Sequence, residues 1–138
     1  MGKMDITYRT DRQITAPEFI GLLNTTSLGA RRPVSDLECI EAMLEHADLM
    51  VTAWRDDQLV GVARSLTDFH YCCYLSDLAV AESEQQLGIG KGLIDHTEAC
   101  LAVGCRLILL AAPQAESYYP HIGFDQHRSA WTRVKPAT

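Results

Sequence analysis

The segment ESEQQLGIGKGL, Glu82 to Leu93, places Gly88, Gly90 and Gly92 between an apolar run, YLSDLAV, and a stretch with helical periodicity. Glycine weakens a helix by about 0.5–1 kcal/mol relative to alanine. Three of them at alternate positions where a helix opens mark a close approach to the backbone. The segment also restricts topology. With the apolar run RLILLAA that follows, it makes a strand–helix–strand unit from Tyr71 to Ala112, for which a right-handed parallel crossover is expected.

Around this unit the remaining elements are legible by pattern. DITYRT reads as a first strand. Thr15 and Glu18 stand at capping-box spacing ahead of a helix whose Phe19, Leu22 and Leu23 share a face. LGARRPV reads as a loop. Ser35 and Glu38 repeat the capping box before a second helix with Leu37, Ile40 and Leu44 as its apolar stripe. DLMVTAW and QLVGVARSL read as strands joined by a hairpin at RDDQ. YCCYLSDLAV is a longer strand. The helix after the glycines carries Ile89, Leu93, Thr97 and Leu101 on one face, and Gly104 is placed as its C-terminal cap. RLILLAA has the continuous apolar character of a strand buried on both faces. QAESYYPHIGF reads as a short helix ending near Gly123, with Pro120 expected to kink it, and SAWTRV as a final strand. The fold class is α/β (α+β), one domain over residues 1–138, built as a mixed sheet with helices on both faces.

Composition narrows the function. A formal net charge of −6 over 138 residues argues against a nucleic-acid surface and suits a cationic substrate only weakly. No apolar run reaches membrane-spanning length. The opening MGKMDITYRT has neither the apolar core of a signal peptide nor, with Ile6, a myristoylation signal. The five cysteines, Cys39, Cys72, Cys73, Cys100 and Cys105, fit no zinc or redox spacing. They read as core thiols of a reducing compartment, so a cytoplasmic protein without a bound metal is expected.

Three anion-binding patterns compete for the glycine segment. A P-loop needs a glycine five residues before Gly90-Lys91 and a hydroxyl after it, where Gln85 and Gly92 stand. A dinucleotide fingerprint needs its third glycine at Leu93 and the first strand of the fold. The pattern that remains is Gln85-x-x-Gly88-x-Gly90. Unpaired N–H groups and the dipole at a helix start hold an anion, and glycines let it come near.

This loop, the two early helices, the DDQLVGVAR hairpin and the aromatic-rich YYPHIGF together resemble the GNAT superfamily, the Gcn5-related N-acetyltransferases. The resemblance covers nearly the whole chain. It implies a sheet of about six to seven strands, splayed between the fourth and fifth, with acetyl-CoA as co-substrate. Backbone groups of Gln85, Gln86, Leu87, Gly88, Ile89, Gly90 and Lys91 would then hold the pyrophosphate. Leu78, Ala79 and Val80 would pair with the pantetheine arm as if it were an added strand. Gln85 would also shape the loop, Lys91 would add charge or remain solvated, and Gly92 would serve helix–strand packing.

The resemblance implies direct attack of an amine on the thioester. In F-Y-x-x-x-G-F, the family's aromatic motif, Tyr119 aligns with the general acid and Tyr118 with a core aromatic. Two departures from the family pattern are Pro120 and the absence of an asparagine near Ala112. The family's glutamate on the strand before the loop is also missing. Asp77, His70 and Glu116 are the alternatives for a general base, beside a water chain; Asp77 reads equally as a structural acceptor, and His121 as a surface residue. Arg31 and Arg32, in the loop that selects the acceptor in the family, either bind an acceptor carboxylate or phosphate or are solvated. The expected partner is a small-molecule or peptide amine, with no nucleic acid and no membrane, and the resemblance favours a homodimer. Trp131 reads as either core or dimer edge. The alternative function is a non-catalytic acyl-CoA sensor on the same fold; a nucleotide-binding enzyme is a more distant one.

Overall fold

The capping box of Thr15 and Glu18 is formed as its spacing predicts. The Thr15 N–H donates to Glu18 Oε1 at 2.9 Å, and the Glu18 N–H donates to Thr15 Oγ1 at 3.2 Å. Helix α1, Ala16–Leu23, starts there in the computed structural model, which describes residues 5–137. The first four residues, part of the stretch read for targeting signals, lie outside that range. Phe19, Leu22 and Leu23 are buried on one face of α1. The second box is not formed. Asp36, not Ser35, caps helix α2, Leu37–Glu45, by accepting from the Cys39 N–H at 3.1 Å. Ile40, Met43 and Leu44 pack inward, whereas Leu37, the first helical residue, is 53% exposed. Between the helices, part of the expected loop winds into a 3-10 turn, Ser27–Arg31.

Five strands make one sheet in chain order: β1 Ile6–Arg9, β2 Leu49–Arg55, β3 Gln58–Thr67, β4 Cys72–Val80 and β5 Arg106–Ile108. The first four are antiparallel, and β5 joins β4 in parallel. Asp56 turns the β2–β3 hairpin at φ 56, a left-handed conformation that aspartate tolerates. Helix α3, Ile89–Ala99, is the crossover between β4 and β5.

Each sheet face has its own core. On one side α1 and α2 cover Trp54, Val62 and Ala79. On the other α3 covers Val51, Ala53, Val60 and Leu75 with Ile89, Leu93 and Ile94. The helices therefore lie on both faces, as expected. Asp68 fastens the start of β4, since one of its carboxylate oxygens accepts from the N–H groups of His70, Tyr71 and Cys72.

The structure corrects several expectations in the C-terminal half. Helix α3 stops at Ala99, and Gly104, at φ 89, turns the chain into β5 instead of capping the helix. RLILLAA pairs over three residues only. As an edge strand β5 has one covered face: Leu107 and Leu109 are half-buried, whereas Ile108 is 42% exposed. SAWTRV is not a strand, so the described sheet has five strands and not six or seven, and Trp131 is 89% exposed instead of core. A strand pattern without a neighbouring edge to pair with has nothing to hold it. Of the cysteines only Cys73 is buried, and all five are free.

Candidate functional site

The site originates where the β4–β5 ladder stops. Cys72, Cys73 and Tyr74 pair with Arg106, Leu107 and Ile108, and no pairing follows. Beyond that point β4 is bonded to β3 on one edge and open on the other. A bulge assists the opening. Arg64 pairs with Asp77 and Ser65 with Leu75, so Ser76 is an extra residue on β4. It inverts the alternation: Leu75 packs toward α3, whereas Ala79 packs toward α1. Such bulges bend a strand and end its pairing. The splay expected between the fourth and fifth strands is present, and a cavity of about 300 Å³ fills it.

Leu78, Ala79, Val80 and Gln85 line this cavity from the β4 side, Leu109 and Leu110 from the β5 side. At its end the chain leaves Val80, makes a 3-10 turn at Glu82–Glu84 and enters α3. The Gln85 Nε2 donates to the Val80 carbonyl at 3.0 Å and so shapes the loop. Arg55 grips Glu84 through both carboxylate oxygens, at 2.8 and 3.1 Å, which holds that carboxyl below its usual range. Gln86 and Gly88 both have positive φ, 68° and 85°. The Gly88 value brings the helix in with no side-chain cap, so its first N–H groups stay open to a ligand.

The three glycines differ in purpose. A Cβ on Gly88 would touch nothing, and glycine there serves the left-handed backbone. A Cβ on Gly90 would meet only ordinary contacts, Tyr118 Oη at 3.7 Å and Val80 Cγ2 at 3.9 Å. Glycine there keeps open the space in front of the helix. A Cβ on Gly92 would lie 2.2 Å from Tyr8 Oη. Gly92 therefore serves helix–strand packing, as the sequence implied, and Tyr8 stacks on His96 beside it. Lys91 turns outward to Asp95 at 2.9 Å, a pairing that raises the ammonium's pKa. Its backbone, not its charge, belongs to the loop.

Tyr119 lines the cavity from the short helix α4, Tyr118–His121. Pro120 lies in the first turn, where the N–H it lacks has no helical partner to lose. Gly123, at φ 97, folds the chain back so that the Phe124 N–H donates to the Tyr119 carbonyl at 3.1 Å. The Phe124 ring meets the Tyr119 ring edge-on at 5.6 Å. Tyr119 is half-buried, and its hydroxyl makes no hydrogen bond to another described residue. Burial, then the neighbouring Tyr118, pushes its pKa up, so it holds its proton at neutral pH. Tyr118, expected in the core, is exposed, its hydroxyl beside Gly90. Where the family's asparagine is missing, Ala112 contributes no side-chain hydrogen bond. Gln114, two residues on, lines the cavity beside Ala112 and donates to Ser27 Oγ at 2.8 Å, joining its two sides.

None of the candidate bases reaches the cavity. Asp77 is fully buried and absent from the lining, its two oxygens taken by Arg32 Nε and Arg64 Nε. His70 lies on the exposed turn before β4, with Nδ1 3.2 Å from the Asp68 carbonyl oxygen. Glu116 and His121 are exposed and outside the lining. The Arg31 side chain is exposed and makes no ion pair or hydrogen bond with another described residue, whereas Arg32 reaches the cavity wall. Among the described residues no group of three or more histidine, cysteine or carboxylate side chains is placed to hold a metal ion, and no helix is long and apolar enough to cross a membrane.

The residues fit a ligand with an extended arm and a diphosphate. An open strand edge faces the cavity, and an uncapped helix start with a bare Gly90 lies at its end. Comparison with known proteins agrees. The chain is similar to a protein of unknown function from meticillin-resistant Staphylococcus aureus (22% identity, TM-score 0.76, covering 95% of this chain and 99% of that one). It is also similar to an aminoglycoside acetyltransferase from an uncultured soil metagenomic sample, solved with sisomicin (19%, 0.64, 94% and 97%). A third is AAC(6')-Iy, solved with the bisubstrate analogue CoA-S-monomethyl-acetylneamine (19%, 0.69, 95% and 99%). No curated protein sequence matches the chain. The family model for the acetyltransferase (GNAT) domain matches residues 28–134, and the chain belongs to the GNAT family of acetyltransferases.

Proposed function

We propose that the protein is an acetyl-CoA-dependent N-acetyltransferase that acetylates a primary amine of a small molecule or peptide by direct attack. The observation that carries this is Tyr119: a protonated hydroxyl, without a hydrogen-bond partner among the described residues, on the wall of a cavity that the open edge of β4 also lines. The loop from Gln85 to Lys91 would hold the pyrophosphate on its backbone N–H groups. The free N–H and C=O groups of Leu78 to Val80 would pair with the pantetheine amides, which removes the cost of leaving a strand edge bare.

In the transfer step the neutral amine nitrogen forms a bond to the thioester carbonyl carbon, and the carbon–sulfur bond breaks. A β4 N–H at the splay polarises the carbonyl oxygen. Tyr119 gives its proton to the departing thiolate and recovers one from solvent. The proton lost by the amine leaves through water, because no carboxylate or imidazole lines the cavity among the described residues.

Replacing Tyr119 by Phe tests this. Turnover, followed by thiol release, should fall by about a hundredfold or more, with the Kd for acetyl-CoA nearly unchanged by calorimetry. Unchanged turnover would remove Tyr119 as the acid, and no binding at millimolar acetyl-CoA would overturn the whole proposal. The absence of a base from the lining also favours a second reading, a non-catalytic acyl-CoA sensor. Binding without turnover across a broad amine screen would select it.

A further inference from the structure

We propose that Arg32 is a carboxylate-binding residue, and that the acceptor is therefore an amine that also bears a carboxylate, of the free amino acid type. The inference rests on the N-acetyltransferase reading and specifies its acceptor. Its ground is a charge imbalance at one end of the cavity. Asp77 is the single carboxylate in a buried cluster with two guanidiniums. Arg64 is buried and turned inward, bonded to Asp77, to the Met43 carbonyl at 3.3 Å and to Ser76 Oγ at 3.1 Å. The cluster is left with one positive charge in excess. Arg32 is its only member on the cavity wall, with a side chain 22% exposed.

The Arg32 guanidinium is also fixed in place. Nε donates to Asp77, Nη1 to the Arg31 carbonyl at 2.9 Å and Nη2 to the Ser76 carbonyl at 2.8 Å. Three of the five donors of an arginine are used, which leaves one N–H on each terminal nitrogen. A held guanidinium loses little side-chain entropy when it binds an anion, unlike a surface arginine. Among the described residues no other charged side chain lines the cavity; the remaining polar groups there are hydroxyls and amides such as Thr26, Ser27 and Gln114. Ser76 stands four residues from Val80, roughly 13 Å of strand. Arg32 is thus distant from the glycine loop and free for the acceptor. A chain of net charge −6 presents this cavity with a cation and without a carboxylate for a second ammonium. Polycationic amines are the wrong acceptors for it.

The test compares L-amino acids with their primary carboxamides, and with spermidine, on the wild-type protein. Each acid and its carboxamide differ in charge at one group, and because the protein is unaltered no folding defect intervenes. Thiol release should show kcat/KM at least about tenfold higher for the acid than for its amide, since hydrogen bonds to a charged partner carry that much discrimination. Amides or spermidine used as well as the acids would overturn the inference. Arg32→Lys keeps a positive charge beside Asp77 and loses the fork. It should raise KM for the acid with little change in kcat and shrink the acid-to-amide ratio; an unchanged ratio would also overturn the inference. If acetyl-CoA binds but no amine is acetylated, the transferase reading fails and this one is still decided. Calorimetry on the coenzyme A-loaded protein should then show the acids binding about tenfold more tightly than the amides, and equal binding would refute it.

Discussion

The two ends of the cavity are built on opposite plans. At one end, the loop from Gln85 into α3 offers backbone: a left-handed Gly88, a bare Gly90 and an uncapped helix start. At the other, Arg32, Asp77 and Arg64 offer side chains, gathered from the turn before α2, from β4 and from β3. A backbone site depends on local conformation and is written in consecutive residues. A side-chain cluster depends on three segments reaching the same place. On the function proposed above, the first suits a ligand common to a family, while the second is free to vary with the acceptor.

The sharpest way to break this comparison is Asp77→Ala. It leaves two guanidiniums facing each other at a largely buried position, and breaking such a cluster costs about 3–5 kcal/mol. Urea unfolding should show a loss of that size. A loss under about 1 kcal/mol would mean that this end is not part of the frame. Gly90→Ala acts on the other end. Its new methyl meets only ordinary contacts, so stability should hold while the Kd for acetyl-CoA rises about tenfold, or ~1.4 kcal/mol. An unaltered Kd by calorimetry would detach the loop from the cofactor. Gly88→Ala should instead cost folding stability, about 1–2 kcal/mol, because alanine disfavours φ 85. Gly21→Ala, on the solvent side of α1 with nothing within 4 Å, should add about 0.5–1 kcal/mol of stability and leave the Kd alone. If it altered affinity, the separation between frame and site would be wrong.

The smallest effect is one of pH. Tyr119 keeps its proton above the ordinary tyrosine pKa of ~10. A raised folded-state value means that its contribution to stability is complete below about pH 10 and is lost as pH rises through the folded value. Burial and the nearby Asp95 raise the pKa of Tyr8 as well. In an ultraviolet titration of phenolate, two tyrosines should therefore ionise after the exposed ones. Tyr119→Phe should remove one of the two, and a late component of unchanged amplitude would show that Tyr119 is not part of it.

Legibility in the sequence followed the range of the interactions. The capping box at Thr15, the turn at Asp56, the α3 face of Ile89, Leu93 and Thr97, and the end of the short helix before Gly123 rest on neighbours within a few residues, and local spacing finds them. The second capping box failed locally as well: Ser35 and Asp36 are adjacent competitors, and Asp36 holds the Cys39 N–H. Tyr118 and Tyr119 are also adjacent, and no pattern distinguishes which faces inward. The length of β5 and the fate of SAWTRV depend on whether another strand is present, which apolar content does not report.

By itself the sequence determined the order of the elements as far as α4 and the place of the glycine loop at the opening of α3, because each depends on residues close along the chain. Only the tertiary structure decided that Ser76 is a bulge, that the β4–β5 ladder ends after Tyr74, and that Asp77 is an ion-pair hub and not a base. Asp77 and its two arginines lie 45 and 13 positions apart in the chain. Their charges become a site only when burial leaves them no solvent to face and no partner but each other.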